Sequence, residues 1–251
     1  MPQAPWCVAI ADMDVLRRYH HDTRDIWNSV LLVLPLVILY QVGLLVAGGV
    51  RNGVDFVTDA LLGLAGGHVL GYVALTAFLA ATAFGVALGL SHQGQRPFRR
   101  RLFAAVLIES FLYAGLMGSA ILQVLSYVPG LEPSLSTAIQ DSDLLTRVVL
   151  SIGAGVHEEL VFRLFLFGGL VLVATRWLRW SLPHATVLAI VVSSLLFASV
   201  HYVGPLADPF TAFSFSFRFF AGAIFAGIFA LRSFAVAVYT HALYDVLVLV
   251  F

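Results

Sequence analysis

The sequence has one cysteine, no lysine and few charged residues of any kind. Of 251 residues, 11% are charged and 60% are hydrophobic. A lone Cys7 excludes a disulfide framework and a zinc site built from several cysteines. The basic residues are all arginine and the formal net charge is zero, which gives no support for a broad nucleic-acid-binding surface. This composition excludes an ordinary soluble domain and indicates an integral membrane protein.

Long apolar stretches divide the chain into roughly seven segments that could cross a bilayer, since one span needs about 20 apolar residues. The predicted spans are 28–50, 68–90, 102–128, 148–173, 185–203, 212–231 and 233–251. Residues 55–66 are predicted to form a short interfacial piece. The predicted fold class is therefore an all-α, polytopic transmembrane bundle.

The loops carry an uneven distribution of charge. Residues 1–27 contain several charges before any long apolar run, which predicts a cytoplasmic leader and a signal anchor rather than a cleaved signal peptide. Arginines concentrate in this leader and in every second loop: Arg17, Arg18, Arg24, Arg96, Arg99, Arg100, Arg101, Arg176, Arg179 and Arg232. The positive-inside rule then predicts a cytoplasmic N-terminus. No linker divides residues 28–251, which are predicted to form a single transmembrane domain.

Ionisable side chains inside the predicted spans are few. Each one costs roughly 2.5–3.5 kcal/mol at a helix centre on insertion scales, and therefore needs a partner or a function. They are His157, Glu158, Glu159 and Arg163 in the fourth span, His201 in the fifth, His241 and Asp245 in the seventh, and Glu109 and Arg218 in the third and sixth.

The spacing of these residues predicts two pairs. Glu159 and Arg163 are four residues apart with the acid first, the favourable order for an ion pair on a helix. Glu158 is rotated by about 100° from Glu159, so it is predicted to stay available for chemistry. His241 and Asp245 are also four residues apart, and the carboxylate is predicted to orient the imidazole.

A purely structural interpretation of the same residues stays open. In this interpretation, the only role of the Glu159–Arg163 pair is to fix helix packing. His201, which has Phe197 one turn before it, can be a histidine that hydrogen-bonds between helices. His157 is predicted to be a packing residue or to support the others.

A transport pathway is a further alternative, because intramembrane acids and histidines also build proton relays. Glu109 and Arg218 would belong to such a route. The sequence has no paired repeat and no Gly/Pro-broken helices in matching halves, which transporters usually have. The transporter is therefore kept as the second hypothesis.

Three short motifs resemble those of a known family. The segments EELVFR (158–163), FASVH (197–201) and HALYD (241–245) resemble the EExxxR, FxxxH and Hxxx(N/D) motifs of the CPBP intramembrane proteases. This family includes the type II CAAX prenyl endopeptidases and bacteriocin-processing or immunity proteins. The resemblance covers about residues 146–251, and RRYHHDTRDIW near the N-terminus is similar to the myxosortase-like bacterial group.

The resemblance implies an intramembrane endopeptidase that cleaves in or near a membrane-associated C-terminal tail or leader peptide. Glu158 matches the catalytic glutamate, which together with His201 would activate a water molecule. Glu159 and Arg163 match the supporting acid and arginine. The implied partners are a membrane-associated protein or lipidated peptide and the lipid bilayer, with no nucleic acid, and the implied location is a bacterial inner membrane. A catalytically silent scaffold of the same family is the remaining alternative.

His241 and Asp245 match the pair that the family places near the developing oxyanion. The commonest form of the motif has Asn where this chain has Asp245, and an ionised Asp accepts hydrogen bonds but cannot donate them. Our hypothesis is that Asp245 orients His241 and favours its protonated form, so that the imidazole donates to the oxyanion.

The sequence leaves the role of a metal open. Glu158, His201 and His241 would make a zinc set of two histidines and one carboxylate. The HExxH pattern of zinc proteases is absent, because Val161 stands where its second histidine would be. A metal-free glutamate mechanism is the preferred prediction, with zinc or another divalent metal as the alternative.

Overall fold

The computed structural model describes residues 16–47, 56–91, 100–131, 142–204 and 207–250, and these residues form helices and short connections. We number the helices α1 (Ile26–Val46), α2 (Phe56–Leu64), α3 (Val69–Ser91), α4 (Arg101–Ser126), α5 (Leu144–Glu159), α6 (Gly168–Arg176), α7 (Leu182–Val200), α8 (Ala212–Leu231) and α9 (Phe234–Val250). A π-helix, Leu160–Phe167, joins α5 to α6. The predicted interfacial piece is α2.

The outer surface of the bundle is apolar. On α4, for example, Ile108, Phe111, Leu112 and Leu116 are exposed. Such an apolar exterior suits lipid rather than water. By length and composition, α1, α4, α7 and α8 can each cross a membrane, and α9 and residues Val69–Leu79 are shorter apolar helices. The all-α, polytopic membrane fold predicted from the sequence is confirmed, whereas the number of spans and their orientation stay predictions.

Helix α9 runs through the middle of the bundle. Its residues Ala235, Val236, Ala237 and Val238 have no exposed surface, and the helix packs against α1, α4, α5 and α8. Small side chains allow such close approach between membrane helices, where packing contacts rather than the hydrophobic effect drive association. Any polar residue in the middle of α9 is therefore held inside the protein.

The N-terminal segment, residues 16–24, is helical and packs where α8 meets α9. The imidazole of His20 lies 2.9 Å from the carbonyl oxygen of Leu231, and Arg24 donates to the carbonyl of Ala230 at 2.5 Å. These contacts satisfy carbonyl groups that the end of α8 leaves without a helical partner. The predicted leader is thus partly a packed element.

Two predicted features fall on residues that the structure does not describe. They are Cys7 in the first part of the leader and two of the arginines used for orientation, Arg96 and Arg99.

Candidate active site

The two acids of the EELVFR motif lie where α5 changes into the π-helix. Glu158 and Glu159 are the last residues of α5, and beyond the π-helix the N–H of Gly168 donates to the carbonyl of Arg163, five residues back. The sequence-based prediction assumed a regular α-helix here. Short π-helical segments are rare and occur often at functional sites, and they change the angle between successive side chains.

The ion pair predicted from spacing is present and completely buried. The Nε of Arg163 lies 3.2 Å from Oε2 of Glu159, and both side chains have no exposed surface. Arg163 also donates to the carbonyl of Gly222 on α8 at 3.2 Å. Its guanidinium lies 4.8 Å from the ring centroid of Phe197 and 5.6 Å from that of Phe225. These contacts surround a buried cation with π-faces and acceptors.

Glu159 has a second partner that the sequence did not predict. Its Oε1 lies 2.9 Å from Nδ1 of His241, so one carboxylate connects Arg163 on the π-helix with the imidazole on α9. The predicted orienting acid, Asp245, lies 3.5 Å from Nε2 of the same imidazole. The predicted pair of His241 and Asp245 is present, and Glu159 makes a second, shorter contact with the same imidazole.

Glu158 faces two histidines from different helices. Its Oε2 lies 4.0 Å from Nε2 of His201, just after α7, and 3.9 Å from Nε2 of His241 on α9. Within the described residues this buried oxygen has no direct hydrogen-bond partner. The Nδ1 of His201 lies 2.8 Å from the carbonyl oxygen of Phe197, which leaves Nε2 directed toward Glu158. The three residues of the predicted site are brought together, and their catalytic roles stay predictions.

These distances test whether zinc would fit. Zinc bonds of about 2.0–2.2 Å in tetrahedral geometry put ligand atoms roughly 3.3 Å apart. The carboxylate oxygen of Glu158 is 4.0 Å and 3.9 Å from the nitrogens of His201 and His241, which suits two hydrogen bonds of about 2.8 Å to a shared water. Among the described residues, no group of three His, Cys, Asp or Glu side chains has metal-site geometry. This donor set does not fit zinc as arranged, and no step below passes through a metal.

Aromatic rings hold the two imidazoles. The ring of Phe197 lies 5.2 Å from that of His201 and 5.9 Å from that of His241, both edge-on. Phe225 of α8 stacks on His241 with a centroid distance of 4.3 Å and an angle of 15°. The sequence analysis did not identify Phe225, because α8 is rich in phenylalanine and carries none of the three motifs. His157 has an Nδ1 contact of 2.9 Å to the carbonyl of Gly153 and lies against Tyr40, as a packing residue would.

The two ionisable residues assigned to a transport route have separate partners. Glu109 pairs with Arg232 and accepts a hydrogen bond from Tyr19. Arg218 pairs with Asp208 near the start of α8. The grouping of Glu109 with Arg218 in one route gains no support from these contacts.

A comparison with known families identifies the part of the chain that carries this arrangement. The family model described as "Type II CAAX prenyl endopeptidase Rce1-like" matches residues 140–247. This region is similar to that family. The resemblance to CPBP proteases, which rested on three motifs, is thereby confirmed, and the narrower myxosortase-like assignment stays a prediction. No curated protein and no solved structure matches the chain.

The Rce1-like region, residues 140–247, contains all the predicted site residues: Glu158, Glu159, Arg163, Phe197, His201, His241 and Asp245. It begins shortly before α5 and ends within α9, so α1 to α4 lie outside it. The close contact between α5 and α9 joins Glu158 and Glu159 to His241. Gly155 permits this contact: a Cβ at Gly155 would lie 2.6 Å from the backbone nitrogen of Ala242 and 2.7 Å from its Cβ.

We expect Gly155→Ala to disrupt the Rce1-like region. Because the opposing atoms belong to backbone, α5 and α9 must separate, with an expected loss of about 1–3 kcal/mol in unfolding free energy. Thermal unfolding in detergent measures this effect. The matched control is Gly115→Ala on the outer face of α4, where an added Cβ meets nothing within 4 Å. Equal unfolding temperatures for the two variants would contradict the close-contact argument.

Proposed function

We propose that this protein is an intramembrane endopeptidase that hydrolyses a peptide bond in or near a membrane-associated C-terminal tail or leader peptide. The match of residues 140–247 to the Rce1-like family model supports an intramembrane CAAX-type protease at the family level. The observation that carries the proposal is the approach of Glu158 to His201 and His241, at 4.0 Å and 3.9 Å, from three separate helices. Three buried ionisable groups at one point are costly to keep for packing alone.

Glu158 is proposed as the general base. With His201 it holds a water molecule between the two side chains and takes one of its protons as the oxygen attacks the scissile carbonyl. The π electrons of the carbonyl move onto its oxygen, which becomes the oxyanion of a tetrahedral intermediate. Glu158 then returns the proton to the leaving nitrogen as the C–N bond breaks, which yields a carboxylic acid and an amine. No atom or charge is left over.

His241 is proposed to stabilise the oxyanion. Its Nδ1–H donates to Glu159 at 2.9 Å, so in the protonated ring Nε2–H is the group that donates toward the oxyanion. Asp245, at 3.5 Å from Nε2, supports the donating form of the ring until substrate arrives. The anchored Nδ1 matters because an oxyanion donor is effective only when its position is fixed in advance.

A peptidase within a bilayer needs water where lipid excludes it. The apolar outer faces contact acyl chains, and the polar side chains lie between α5, α7 and α9, so the proposed reaction space is a protein-lined cavity. The lipid bilayer and a membrane-associated protein or lipidated peptide are the proposed partners. A bacterial inner membrane remains the predicted location.

We expect His201→Ala and His241→Ala each to abolish cleavage of a membrane-associated peptide. The assay uses purified protein in liposomes with three internally quenched probes: a prenylated C-terminal CAAX peptide, a leader peptide and a membrane-anchored C-terminal tail. Fluorescence release and mass spectrometry report the rate and the cleaved bond. The control is His184→Ala, since His184 is an exposed histidine at the start of α7.

Two further results of this assay distinguish the metal-free mechanism from a zinc mechanism, and the endopeptidase from the transporter. Activity that persists after dialysis against a chelator supports the metal-free mechanism, whereas loss on chelation and recovery with zinc would overturn it. If none of the three probes is cleaved, the endopeptidase proposal fails. A change in pH-gradient flux in the same liposomes would then favour the transporter.

A further inference from the structure

Arg218 is the centre of a polar cluster beside His201. It forms an ion pair with Asp208, and its NH1 group donates to the hydroxyl of Tyr202 at 2.8 Å and to Oγ of Ser214 at 2.5 Å. Its guanidinium also lies 5.2 Å from the ring centroid of Tyr202. The hydroxyl of Tyr202 in turn donates to Ser214 at 2.9 Å. The cluster joins the connection after α7 to the first turns of α8.

His201 needs such support because of its place in the fold. Helix α7 ends at Val200, and His201 is its C-terminal cap residue. Helix ends lack intrahelical partners for their last carbonyls and fray readily. The carbonyl of His201 instead accepts a hydrogen bond from the backbone N–H of Asp208 at 2.9 Å. The side chain of this same Asp208 is paired with Arg218.

Arg218 therefore contacts the chain at two points after the cap. One contact is to Tyr202, the next residue, and the other is to Asp208, which bonds the His201 carbonyl. We infer that Arg218 is a positioning residue that fixes the end of α7 and thereby keeps Nε2 of His201 near Glu158. The inference rests on the proposed function, in which His201 acts on the water.

The register of α8 agrees with this role. Arg218, Gly222 and Phe225 are spaced by four and three residues and so lie on one face of the helix. Gly222 accepts from Arg163, and Phe225 stacks on His241. One face of α8 thus contacts Arg163, His241 and the residue next to His201, although α8 carries none of the three motifs.

The test is Arg218→Gln in the liposome assay with the prenylated CAAX peptide, or with whichever of the three probes the wild type cleaves. We expect kcat to fall on the order of 10- to 100-fold, because small displacements of a catalytic group have effects of this size, while KM changes little. The matched control is Arg232→Gln, which removes another Arg–carboxylate pair. The side chains of Arg232 and its partner are 15% and 17% exposed, and those of Arg218 and its partner are 19% and 22% exposed. Arg232 pairs with Glu109 away from this cluster, and its variant is expected to keep the wild-type kcat.

A second readout does not depend on catalysis. In protein labelled with 13C-histidine, the His201 ring signal, assigned by its loss in His201→Ala, is expected to shift or broaden in Arg218→Gln and to stay unchanged in Arg232→Gln. An unchanged His201 signal, or a wild-type kcat, overturns the inference. If Arg218→Gln does not fold, Asp208→Asn removes the same ion pair and is judged by the same two measurements. Wild-type cleavage by His201→Ala would instead refute the proposed function, and the NMR measurement would still decide the positioning role.

Discussion

Glu158→Gln is expected to lower kcat for peptide cleavage about 10³-fold or more, a loss within the range for removal of a general base. Gln keeps the shape of the side chain but cannot take a proton from water. Glu158 is 3% exposed and its Oε2 faces both histidines, so the change removes the proton acceptor without opening a cavity. Initial rates with the cleaved probe measure the effect.

The control for this variant is a second carboxylate within the bundle. Glu109→Gln breaks the contacts with Arg232 and Tyr19, so we expect a loss of stability and a retained rate per folded molecule. If Glu158→Gln cleaves within about tenfold of the wild-type rate, Glu158 is not the general base and the mechanism proposed here is wrong.

Arg163→Met is expected to cause the largest loss of stability, about 3–5 kcal/mol in unfolding free energy, because it leaves the buried carboxylate of Glu159 without its cation. Both side chains of the pair have no exposed surface. Unfolding in detergent, followed by circular dichroism, measures the loss.

The double variant Arg163→Met with Glu159→Gln separates stability from catalysis. Removing both charges should recover a large part of the stability, as seen when buried ion pairs are replaced by neutral groups. Cleavage should not recover, because the change removes the negative charge that supports the protonated, donating form of His241, whose Nδ1 lies 2.9 Å from Glu159. A double variant that regains both stability and rate would show that Glu159 only neutralises Arg163.

Features set by local spacing were predictable from the sequence. The four-residue separation of Glu159 and Arg163 was enough to predict their ion pair, because that interaction depends on one helix turn. The polytopic helical fold was predictable for a similar reason, since the bilayer demands a minimum apolar length for each span. The predicted fourth span, 148–173, lies within the continuous helical segment from Leu144 to Arg176.

Features set by distances between helices were not predictable. The hydrogen bond from Glu159 to His241 joins residues 82 positions apart, and no spacing rule links them. Phe225 and Arg218 lie on a helix without a motif, so their contacts with His241 and Asp208 appeared only once the packing of α8 was known. The π-helix at Leu160–Phe167 also has no sequence signal among its apolar residues.

The packed N-terminal segment has a consequence for how the protein is made. His20 and Arg24 contact carbonyls that follow them by 211 and 206 positions. Ribosomes deliver the chain from its N-terminus, so residues 16–24 are synthesised long before the end of α8 exists. This segment therefore emerges early but reaches its native contacts late, and during membrane insertion it stays without them until the end of α8 has been translated.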